Sequence, residues 1–91
     1  MNQEPRVFVV TLEAQEAGQP PALTVLAFAR ADSEAEAHEV AIAELEGLGW
    51  TAIQARRCGE ITDPEALPPD FAAAMATALI WGCGLIVYDE P

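Results

Sequence analysis

Apolar and polar positions repeat along this chain with two different periods, and the switch between them marks its elements. From residue 31 to 50, ADSEAEAHEVAIAELEGLGW, the period is helical. At about 100° per residue, Ala37, Ala41, Leu45 and Leu48 fall on one stripe with His38 and Ile42 along its edge, while Glu36, Glu39, Ala43 and Glu46 point away. Both ends are signalled. Ser33 followed by Glu36 is a capping box, in which the Ser33 hydroxyl accepts from the third helical amide, and Asp32, Glu34 and Glu36 suit the positive end of the helix dipole. Gly49 is expected just past the end with Trp50 folded back on the last turn, and Gly47 is the earlier alternative.

Strand-like periods flank this helix. Residues 6–13, RVFVVTLE, place Phe8, Val10 and Leu12 on one side and Val7, Val9 and Thr11 on the other; residues 22–30, ALTVLAFAR, do the same with Leu23, Val25 and Ala27 against Leu26 and Phe28. The stretch between them, AQEAGQPP, is expected to be a hairpin loop of moderate length, with Gly18 allowing positive φ and Pro20-Pro21 stopping the ladder. Residues 51–58, TAIQARRC, alternate more loosely and suit an edge strand, so that 22–58 forms a strand, helix, strand crossover. Asp63-Pro64-Glu65 suits a single helical turn, and Pro68-Pro69 restarts the chain into a second helix over 69–81, PDFAAAMATALIW. Phe71, Met75, Ala78, Leu79 and Gly82 form its stripe, yet the other positions are also uncharged after Asp70, and a helix apolar all round is normally buried on more than one side. Residues 83–89, CGLIVYD, read as a final strand.

This pattern predicts one α+β domain spanning residues 1–91, a two-layer sandwich in which a four-stranded, mainly antiparallel sheet carries two helices on one face. The order ββαβαβ is similar in class to ferredoxin-like plaits, which run βαββαβ. At 91 residues and 52% hydrophobic, the chain supports a limited core, burying only ~60–65% of its unfolded surface. Two helices on one face leave apolar residues on the other side of the strands without cover. A second copy of the chain is therefore the expected cover, with Met75, Leu79, Ile80 and Trp81 at the dimer interface.

Charge narrows the partners. Fifteen acidic residues stand against four basic ones, for a net charge of −11, which argues against nucleic acid and anionic membrane surfaces and leaves a basic protein as the expected second partner, met by Glu36, Glu39 and Glu46. Two cysteines are too few for a secreted disulfide scaffold, no apolar run suits a membrane span, and MNQEPR lacks the pattern of a signal peptide, so a cytoplasmic location is expected.

Candidate chemistry is sparse. Arg30, Arg56 and Arg57 fall at strand ends, where they would either pair with acids or converge on an anion, and Arg56 and Arg57 would lower the pKa of Cys58. His38 has no nucleophile beside it in sequence. Two cysteines and one histidine fall short of a zinc site, and the chain holds no nucleophile elbow, phosphate loop or dinucleotide fingerprint. The expectation is a non-enzymatic, homodimeric interaction module with no metal and no cofactor; the alternatives are a small-molecule or ion sensor around Arg30, Arg56, Arg57 and Cys58 and, behind it, a thiol-dependent enzyme.

Overall fold

In the computed structural model, residues 5–88 are described. Strands β1 (Val7–Glu16) and β2 (Gln19–Arg30) are followed by helix α1 (Glu34–Gly47), strand β3 (Trp50–Glu60), a 3-10 turn at Pro64–Ala66, helix α2 (Pro69–Trp81) and strand β4 (Cys83–Tyr88). The sheet has the lateral order β3-β1-β2-β4, and all three neighbouring pairs are antiparallel. Strands β2 and β3 are thus parallel to one another with β1 between them, the arrangement that the α1 crossover requires.

The β1–β2 hairpin is tighter than its sequence suggests. Ala17 and Gly18 both have positive φ, 52° and 76°, which makes a two-residue turn whose twist matches that of the strands. The tip is held by Ala17 N–H donating to the Gly49 carbonyl at 3.1 Å. Pro20 and Pro21 do not stop the strand. The register slips between Ala14↔Leu23 and Glu16↔Gln19, so the extra residues, both prolines among them, bulge out of the ladder where a missing N–H costs nothing.

The strands are apolar on both sides because the helices cover opposite faces. On one face Phe8, Val10, Leu12, Val25 and Ala27 pack under Ala37, Ala41 and Leu45 of α1. On the other, Val7 and Phe28 pack under Ala74 and Ala78 of α2, with Phe71, Met75 and Ile86 around them. The expectation of two helices on one face, and with it the plait-like layering, is corrected here. The α1 face is already filled across all four strands, and the 3-10 connector delivers α2 to the side where Val7, Phe28 and Ile86 are still open.

Local signals at α1 hold. Ser33 is the N-cap, its hydroxyl oxygen accepting from Glu36 N–H at 3.1 Å. Gly49, at φ 92°, takes the left-handed position after the helix and donates to the Glu46 carbonyl at 3.1 Å, while Trp50 is buried. Leu48 departs from its stripe and is 59% exposed, because as the C-cap it has already left the helical path.

Candidate functional site

The second helix is seated closely on the sheet and left open on its back. Its seat is Gly84, where a Cβ would overlap the main-chain carbonyl of Ala74, so only glycine lets α2 lie directly on β4. Phe71 meets Phe28 edge to face, with ring centroids 5.4 Å apart and planes at 72°. The far end is tied by Arg30, whose Nη1 donates to the Leu79 carbonyl at 2.7 Å and whose N–H donates to the Gly82 carbonyl at 2.9 Å. A guanidinium there also suits the negative end of the helix dipole. Gly82, at φ 97°, then turns the chain directly into β4.

Leu79, Ile80 and Trp81 form the last turn of α2. Trp81 is 80% exposed, Ile80 68% and Leu79 37%. Val87 and Tyr88 at the end of β4 are also open. Of the four residues expected at a dimer interface, the structure brings Leu79, Ile80 and Trp81 to the surface, whereas Met75 is half-buried between α2 and the sheet. Val87, on the α1 side with Leu85, and Tyr88, on the α2 side with Ile86, lie at the opposite end of β4 from Trp81.

The four residues of the expected anion site do not converge. Arg30 is committed to the end of α2, as above. Arg56 sits on β3, its Nε donating to Glu13 Oε1 at 2.7 Å and its Nη2 pairing with the same oxygen at 2.5 Å. Arg57 pairs with Thr11 in the β1–β3 register, and Cys58 lies opposite Val10 on the α1 face. The expected lowering of the Cys58 pKa is reversed. Burial pushes this thiol up, and the carboxylate of Glu34 adds to the rise. Burial also pushes the Cys83 thiol up to about 11, with Glu44 contributing. Both shifts disfavour the thiolate, which is the reactive form.

Elsewhere, Arg6 grips Glu60 with Nε to Oε2 at 3.0 Å and Nη2 to Oε1 at 2.9 Å, and this hydrogen-bonded pairing holds the Glu60 carboxyl below its ordinary range. Glu36, Glu39 and Glu46 are exposed on the outer face of α1, as the periodicity placed them. His38 is half-buried, and its Nε2 is buried with no hydrogen-bond partner. Among the described residues, no three His, Cys, Asp or Glu side chains are grouped closely enough to hold a metal ion, and no helix is long and apolar enough to cross a membrane. Comparison with known protein families, curated proteins and solved structures returns no match.

Proposed function

We propose that this chain is a cytoplasmic, non-enzymatic interaction module that self-associates as a homodimer through the outer side of α2 and strand β4. The observation that supports this reading is the exposure of Leu79, Ile80 and Trp81 in one short stretch of a chain whose other large apolar side chains are mostly covered. Large exposed apolar side chains in a cluster mark interaction surfaces, whereas the same residues scattered singly carry no such meaning. The acidic outer face of α1, with Glu36, Glu39 and Glu46, lies on the opposite side of the sheet and stays free in such a dimer. It is the face that would steer a basic protein partner.

Sedimentation equilibrium tests the reading. At 100 µM protein the expected mass is twice the 9.7 kDa of the single chain. A mass of one chain at that concentration, in moderate salt, overturns it.

A further inference from the structure

Resting on that self-association reading, we infer that two copies join edge to edge through β4, antiparallel about a two-fold axis, so that two four-stranded sheets become one of eight strands. The two edges of the sheet are built differently. Along β3 the register with β1 slips twice, Ala52 takes a φ of 52°, and Arg56, Arg57 and Glu60 stand on the strand. Bulges and charges of this kind prevent a further strand from adding. Where β2 runs past the end of β4, its edge is interrupted by Pro20 and Pro21. Strand β4 has none of these devices: its partners run one to one from Thr24↔Tyr88 to Ala29↔Cys83, and no residue from Cys83 to Tyr88 is charged.

The occupant is a second copy on three grounds. From Phe71 to Tyr88 the chain carries no charge, within a protein of net charge −11. Two such chains repel everywhere except across this stretch, while a basic partner finds nothing in it to pair with. The geometry also closes. Helix α2 lies over β4 and β2, so pairing β4 with its symmetry mate sets the two α2 axes about two strand spacings apart, ~10 Å, which is the distance at which helices pack. Finally, Ile80 at 68%, Trp81 at 80%, Val87 at 41% and Tyr88 at 43% exposure hold on the order of 400 Å² per copy, before the β4 main chain is counted. That is half of the ~800 Å² that each partner contributes to a stable interface, and the strand edge with the Thr77 flank of α2 supplies the rest.

Amide hydrogen exchange read by NMR on the full chain at 100 µM tests this mode, with sedimentation equilibrium on the same sample. A strand paired on one side protects alternate amides; paired on both sides, it protects them consecutively. A dimer with consecutive protection through β4 is expected. Val87→Lys, which puts a charge on that strand, is expected to give a monomer with alternate protection. Trp81→Glu, at a side chain outside the core, is expected to weaken the dimer at least tenfold while leaving the far-UV spectrum unchanged. A wild-type dimer with only alternate β4 protection overturns the edge pairing and leaves self-association standing. A wild-type monomer overturns both, and consecutive protection in a monomer means that another segment of the same chain covers the edge. Dimers of both variants that match the wild type in affinity also overturn the pairing.

Discussion

The two helices are nearly equal in length and pack on opposite faces of the same sheet, yet they solve opposite problems. Helix α1 has one apolar stripe, one acidic face and a marked terminus at each end, and Ala37, Ala41 and Leu45 are fully buried. Helix α2 is apolar around its circumference, and only two of its five alanines, Ala74 and Ala78, are buried. Patterning thus separates two roles that total hydrophobicity confuses. A stripe bounded by charge fixes which side faces the core, whereas an unbounded one leaves the seat to be chosen by a close fit, here Gly84 under Ala74. The large residues Ile80 and Trp81 then fall on the outside.

This difference is best broken from the α1 side. Leu45→Ala removes a side chain with no exposed surface from the centre of the larger core, and truncations of this kind cost ~2–5 kcal/mol. Small domains are stable by only about 5–15 kcal/mol, so a large drop in the urea midpoint is expected at unchanged slope. The equivalent truncation on α2, Ile80→Ser, is expected to move stability by no more than ~0.5 kcal/mol when measured at submicromolar protein, where chains are apart. Equal losses for the two would mean that α2 is buried in solution as deeply as α1.

A smaller effect sharpens the same contrast. Gly84→Ala sets a methyl against the Ala74 carbonyl and forces α2 to lift, and overpacking of this kind costs ~1–3 kcal/mol, offset in part by the lower unfolded-state entropy of alanine. The expected signature is local. Amides of α2 should exchange faster than in the wild type while those of α1 keep their rates relative to global unfolding. Uniform acceleration in both helices would show that the two faces of the sheet are energetically one unit.

The same contrast explains what could be read from sequence. Helix α1 was legible because its signals are local: a hydroxyl three residues before an amide, a glycine where positive φ is needed, a period of 3.6. The four strands were legible by composition, and β3 was recognisable as an edge from its loose alternation and its arginines. What required the third dimension was the side on which α2 would land. Apolar residues on both faces of β1, β2 and β4 are what a sheet covered from both sides requires; assigning both helices to one face turned that signal into a demand for a partner. The structure meets part of the demand with α2 itself, and among the described residues the last turn of α2 and the end of β4 are left open. The hairpin was misjudged for a related reason, since Ala17 at positive φ carries no sequence mark and Pro20-Pro21 reads as a stop unless the bulge that accommodates it is known. Arg30 does close β2, but Arg56 and Arg57 lie inside β3, which continues to Glu60 instead of ending at Cys58, and the partners Glu13 and the Leu79 carbonyl are distant in sequence and set by register.

The smallest expected effect concerns Cys83, which opens β4 on the α1 side of the sheet, where Leu85 packs against the larger core. Its thiol is held up to about 11 chiefly by burial, so at pH 8 its thiolate fraction is roughly a hundredfold below that of a free cysteine, and iodoacetamide should label it correspondingly slowly in the native protein. The same shift links to stability. Because the folded state holds the proton more tightly than the unfolded chain, the contribution is fully present below the unfolded pKa, near 9, and is lost as pH rises from there towards 11. The urea midpoint should therefore decline over that interval, and Cys83→Ser should flatten the decline, leaving what Cys58, whose thiol is also pushed up, contributes. If Cys83 instead labels at the rate of a free thiol at pH 8, the start of β4 opens to solvent far more readily than the rest of the strand.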